Sequence, residues 1–102
     1  MDHKKTFESL IETLITQQGS DLHLSTGRFP AIRVNGELIF LSTVPILTQE
    51  DLGGMIEAIL SPEHFKHFQA TQELDFSYEY QGSIRLRGNA YVQQGRYGVV
   101  LR

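Results

Sequence analysis

A chain of 102 residues without cysteine, carrying 9 Lys and Arg against 12 Asp and Glu, forms one domain built on a single apolar core; at this size about 60 to 68% of the unfolded surface is buried. The missing cysteines exclude a disulfide framework and a thiolate zinc site, which fits a reducing compartment. The formal charge of −3 argues against a nucleic-acid partner, because binding a phosphate backbone draws on clustered Lys and Arg.

The first apolar pattern is Phe7, Leu10, Ile11, Leu14 and Ile15, the stripe of a helix with one buried face, and Gly19 is expected to stop it in the left-handed region. Ser20 to Ser25 alternates as a short strand, with Leu22 and Leu24 inward and Asp21 and His23 outward. Thr26 to Pro30 is a loop. Ala31 to Leu41 is a hairpin, because Asn35-Gly36 between two β-rich runs is the preferred two-residue turn; Arg33 projects from the face opposite Ile32 and Val34. After a connection through Pro45, Thr48 and Asp51 form a capping box with Asp in place of Glu, opening a helix whose stripe is Leu52, Met55, Ile56, Ile59 and Leu60. Gly53 and Gly54 cost this helix about 1 kcal/mol each relative to alanine, so packing has to hold it. Ser61-Pro62 starts a third helix with Phe65 and Phe68 as its buried pair.

From Leu74 to Tyr80 the apolar residues fall on every second position, and the rhythm resumes after Gln81-Gly82-Ser83 at Ile84, Leu86, Ala90 and Val92. Arg85, Arg87, Asn89, Tyr91 and Gln93 line the other face. Gly95-Arg96 offers a turn, and Tyr97 to Leu101 is a last strand that ends on Arg102. The predicted architecture is α+β: an antiparallel or mixed sheet of about six strands with three helices packed on one face.

Little of this pattern is catalytic. No phosphate-cradling Gly-x-x-x-x-Gly-Lys-Ser/Thr loop, Gly-x-Ser-x-Gly elbow or His-Glu-x-x-His helix occurs, so the domain alone is not expected to be an enzyme. His64 and His67 lack a third metal ligand and read as surface histidines. Asp21 beside His23 reads as a polar strand face, and Glu73, Asp75 and Glu79 as solubility devices on an exposed strand. Tyr78, Tyr80, Tyr91 and Tyr97 read as packing and interface residues. Arginines suit phosphate or carboxylate, since each presents a rigid charged fork of donors, but pattern alone favours solvated charges. No run of about 18 apolar residues exists, and no hydrophobic block follows Met1-Asp-His-Lys-Lys5, so a cytoplasmic protein without direct membrane insertion is expected.

The blocks Gly19-Ser-Asp-Leu-His-Leu24, Pro30-Ala-Ile-Arg-Val-Asn-Gly-Glu-Leu38, Leu47-Thr48, Leu74-Asp-Phe-Ser-Tyr78, Arg85-Leu-Arg-Gly-Asn-Ala-Tyr91 and Val100-Leu-Arg102 follow one another in order. Together they resemble the amino-terminal domain of the PilT-like type IV pilus retraction ATPases, within the wider type II secretion and pilus assembly ATPase family. The resemblance implies a PAS-like α+β fold over residues 1–102, followed in the family by a RecA-like motor core that is absent from this chain, so the chain looks like a fragment of a longer enzyme. A single helix ahead of the Ser-Asp-Leu-His block resembles retraction rather than assembly ATPases.

The family's function is then implied too: a regulatory and oligomerisation domain of a hexameric twitching-motility motor, coupling ATP hydrolysis to domain rotation. Partners would be the motor core of the same and neighbouring subunits and the pilus platform at the inner face of the cytoplasmic membrane. ATP and Mg2+ would belong to the full-length protein, with none bound by this domain alone. By motif, Arg87 and Arg102 resemble the arginines that reach nucleotide phosphates, and Arg85 and Arg33 match more weakly, whereas Arg28 and Arg96 stay solvated charges. Gly88 departs from the β-branched residue of the family pattern and is expected to weaken its strand. The alternative is a stand-alone PAS-like small-molecule sensor or protein-interaction domain.

Overall fold

Nine elements lie where apolar periodicity and turn chemistry predict them, and the computed structural model describes residues 2–102. They are α1 (His3–Thr16), β1 (Asp21–Ser25), β2 (Ala31–Val34), β3 (Glu37–Phe40), α2 (Gln49–Ile59), α3 (Pro62–Thr71), β4 (Glu73–Tyr80), β5 (Ile84–Gln93) and β6 (Arg96–Leu101). Two of the links are two-residue turns with both residues at positive φ, Asn35-Gly36 (52° and 81°) and Gln94-Gly95 (53° and 78°), and the three-residue link Gln81-Gly82-Ser83 likewise has its first two residues at positive φ (53° and 70°). The two-residue form is the turn whose twist matches the strands it joins, and glycine at its second position takes the left-handed geometry without strain. The result is two three-stranded meanders, β1–β3 and β4–β6.

The meanders join through β1 and β6, in the sheet order β3-β2-β1-β6-β5-β4, with every neighbouring pair antiparallel. All three helices lie on one face. Leu22, Leu24, Ile32, Leu86, Ala90, Val99 and Leu101 point to that face and meet Phe7, Leu10, Ile11 and Leu14 of α1 and Leu52, Met55 and Ile56 of α2. Removing this much apolar surface from water, at about 25 cal/mol per Å2, is what holds the fold. The other face carries the alternate residues and has no helix over it.

Local signals explain most helix ends. Thr48 Oγ1 accepts from the Asp51 amide at 3.0 Å while Asp51 Oδ2 accepts from the Thr48 amide at 3.2 Å, completing the predicted capping box. Ser61 Oγ accepts from the His64 amide at 3.2 Å, with Pro62 in the first turn. Gly53 and Gly54 are explained by close approach: a Cβ on Gly53 would sit 3.0 Å from the Tyr97 ring, and one on Gly54 would overlap the His3 imidazole.

Four expectations are corrected. The left-handed residue after α1 is Gln18 (φ 56°), not Gly19; Gly19 is needed because a Cβ there would press on the Leu14 side chain and stand 3.0 Å from the Arg33 carbonyl. Ile15 is 37% exposed, so the buried stripe of α1 is narrower than its sequence pattern. On α3 only Phe68 is fully buried, and Phe65 is half-buried. Gly88, finally, is a packing residue: it faces the helices opposite Phe76 of β4, and a Cβ would overlap the Phe76 ring.

A polar seam ties α1 to β4. Glu8 and Glu12 are one helical turn apart, about 6 Å, and Tyr78 and Tyr80 are two strand residues apart, about 6.6 Å. The spacings match, and Tyr78 donates to Glu8 at 3.1 Å and Tyr80 to Glu12 at 2.7 Å. Tyr78 also meets Phe7 edge-on, with ring centroids 5.2 Å apart. Burial, together with the hydrogen bond to Glu8, pushes the Tyr78 hydroxyl up to about 12. The hydrogen bond to Glu12 and burial raise Tyr80 as well. A hydroxyl whose pKa is higher folded than unfolded stabilises fully below pH 10, and that contribution is lost as pH climbs toward 12. Denaturant melts at rising pH are therefore expected to show a fall in stability between pH 10 and 12, and Tyr78→Phe should flatten it. An unchanged slope in that variant would remove Tyr78 as its source.

Candidate functional site

The helix-free sheet face holds the charged side chains that alternation sends away from the core. Arg87 of β5 and Arg102, the residue after β6, stand directly opposite: the Arg87 amide donates to the Arg102 carbonyl at 3.0 Å and the Arg102 amide to the Arg87 carbonyl at 2.8 Å. Such a doubly bonded antiparallel pair sets the Cα atoms about 5.5 Å apart with both side chains on one face. Ser77 of β4 continues the row. The sequence pattern placed Arg102 at the far end of its strand, and antiparallel pairing turns that end into Arg87's neighbour.

Two like charges in opposite positions repel, and an anion between them offsets the repulsion. Among the described residues neither guanidinium makes an ion pair. They line a cleft of about 220 Å3 with Asp75, Phe76, Gly88, Asn89 and Val100. Asp75 accepts from Asn89 at 2.8 Å, which turns its carboxylate toward the amide. Arg87 also borders a groove of about 540 Å3 that includes Ser61, His64 and Ser77.

The weaker candidates are engaged elsewhere. Arg33 lies 3.4 Å from Asp21 and donates to the Gly36 carbonyl at 3.0 Å, so it fastens the hairpin turn to β1. Arg85 pairs across strands with Glu79 at 3.6 Å, at an exposed position where such pairs are worth about 0 to 1 kcal/mol. Asp21 and His23 stand 3.5 Å apart on the open face, as alternation predicts. The four arginines thus divide into one free cross-strand pair and two partnered residues.

Among the described residues no three His, Asp or Glu side chains gather as metal ligands, and no helix is long and apolar enough to cross a membrane. The Asp75–Asn89 bond beside Arg87 was not legible in the sequence, since it depends on the register that sets Asp75 opposite Asn89.

No protein-family model matches the chain. It is 38% identical over 86 residues to the type IV pilus retraction ATPase PilT of Pseudomonas aeruginosa, an alignment that takes in 84% of the chain and 25% of that protein. It is 28% identical over 96 residues to the type IV pilus ATPase PilU of the same organism, covering 94% of the chain and 25% of the relative. Among solved structures it superimposes on the pilus retraction motor PilT with bound ADP at a TM-score of 0.84 and 33% identity, over 93% of this chain and 28% of that one. It shares its fold with the ATPase DotB of Legionella pneumophila at a TM-score of 0.78 and 23% identity, over 97% and 29% of the two chains. The chain spans about a quarter of the length of the curated relatives it matches. With its helix-covered six-stranded sheet superimposing on one segment of PilT, the chain corresponds to the amino-terminal region of the PilT-like type IV pilus ATPases.

Proposed function

We propose that this is the amino-terminal regulatory and oligomerisation domain of a hexameric type IV pilus retraction ATPase, and that Arg87 and Arg102 reach nucleotide phosphates held by a motor core. The observation that carries the reading is the free arginine pair on the sheet face without helices, set side by side by two backbone hydrogen bonds. A triphosphate with its Mg2+ would be held by the core. The pair adds positive charge only when the domain swings against it, so nucleotide binding favours the closed arrangement and hydrolysis releases it. The apolar core belongs entirely to this domain, so it moves as a rigid lever. At the inner face of the cytoplasmic membrane its rotation would be passed to the pilus platform.

In the full-length protein, Arg87→Ala is expected to lower the ATPase turnover number roughly ten- to hundredfold, the range for losing a charge-assisted hydrogen bond of about 1.5 to 3 kcal/mol. Arg85→Ala, which loses only the exposed pair with Glu79, should change turnover less than about twofold. Steady-state kinetics with circular dichroism as a folding check decides the matter. Wild-type turnover in a folded Arg87→Ala protein would overturn the assignment.

A further inference from the structure

Arg96 and Arg102 mark the two ends of β6 on the same open face, about 20 Å apart along an extended strand. At the Arg96 end lies a separate polar cleft of about 360 Å3, bordered by Arg28 from the β1–β2 loop, Arg96, Ser25, Tyr91 and Gln94. Among the described residues neither Arg28 nor Arg96 makes an ion pair, and no carboxylate borders the cleft. The cleft therefore carries two positive charges with nothing to cancel them, unlike the Arg87 cleft, which contains Asp75.

The walls are held in place. Gln49, the first residue of α2, accepts from Thr26 Oγ1 at 2.7 Å and from the Tyr97 amide at 3.0 Å, and donates to the Gly95 carbonyl at 2.9 Å. One side chain thus joins the Arg28 loop to the turn that carries Arg96. The loop is fastened again by the Gly27 amide on the Leu47 carbonyl (2.7 Å) and the Leu47 amide on the Arg28 carbonyl (3.0 Å). Tyr91 lies across Gly98, where a Cβ would overlap its ring, and its side chain borders the cleft beside Ser25.

We infer that this cleft is an anion site for a compact phosphate dianion, free or carried on a small ligand. Two guanidinium forks match the charge and the several acceptor oxygens of a phosphoryl group, and the Ser25 and Tyr91 hydroxyls add neutral donors. Its volume is at the low end of the range for small-ligand sites. The inference is independent of the role proposed for Arg87 and Arg102 and uses different residues.

The test is amide-resolved NMR titration of the 102-residue chain with inorganic phosphate, pyrophosphate and malonate at constant ionic strength. Saturable shifts at Ser25, Gln94 and Arg96 are expected with phosphate, and tighter binding with pyrophosphate if the site takes a carried phosphoryl group. Arg28→Gln and Arg96→Gln should each weaken binding at least tenfold, while Arg85→Gln leaves it unchanged. The spectra themselves report folding, and Arg96→Lys should fall between wild type and Arg96→Gln. A response that never saturates, one confined to Arg87 and Arg102, or malonate binding as tightly as phosphate would each overturn the inference.

Discussion

Phe7→Ala is expected to lower stability by about 3 to 5 kcal/mol, enough to drop the melting temperature by at least about 12 °C. Phe7 is 0% exposed, and its ring is the point where α1 touches both the core and β4 through the edge-on contact with Tyr78. Truncation leaves a cavity between helix and sheet, and it strips one wall from the Tyr78 ring whose hydroxyl holds Glu8. A domain of this size has about 5 to 15 kcal/mol in total, so the loss takes a large share of it. Phe7→Leu, which keeps most of the volume, should cost far less. A fall below about 1 kcal/mol for the alanine variant, measured by chemical denaturation, would mean that α1 is not held through this ring.

Gly88→Val is the second large effect, and its sign is opposed by strand propensity. A β-branched residue in a strand gains up to about 1 kcal/mol over glycine. Here the new Cβ overlaps the Phe76 ring, and overpacking of this kind costs about 1 to 3 kcal/mol, so the clash outweighs the propensity. Net destabilisation is expected, relieved when Phe76→Ala is added. A double-mutant cycle should show a coupling of about 0.5 to 3 kcal/mol between the two sites. Stabilisation by valine alone would show that the ring does not occupy the space above Gly88. The variant also reports on the arginine site, because Gly88 lies between Arg87 and Asn89, and a shifted β5 displaces both.

The elements and their faces were legible wherever one residue's neighbours along the chain settle its environment. Alternation in β5 separated Leu86 and Ala90 from Arg87 and Asn89, Asn35-Gly36 announced a hairpin, and Thr48 with Asp51 announced a helix start. What escaped depends on pairing between distant segments. Arg102 comes to rest opposite Arg87 because the β5–β6 turn is Gln94-Gly95 rather than the expected Gly95-Arg96, and no local signal sets β6 beside β1. The same holds for Glu8 and Tyr78, seventy residues apart, and for the cleft that gathers Arg28 and Arg96. Gly19 misled for a different reason: glycine serves both tight turns and close approach, and only the distance to Leu14 and Arg33 separates the two.

The central place of β6 bears on how the protein is made. With β1 paired on one side to β2 and on the other to β6, its second edge has no partner until about eighty more residues have left the ribosome. Throughout that interval the first meander is an open template for foreign strands, so slow translation of this stretch invites aggregation that rapid completion of the domain prevents.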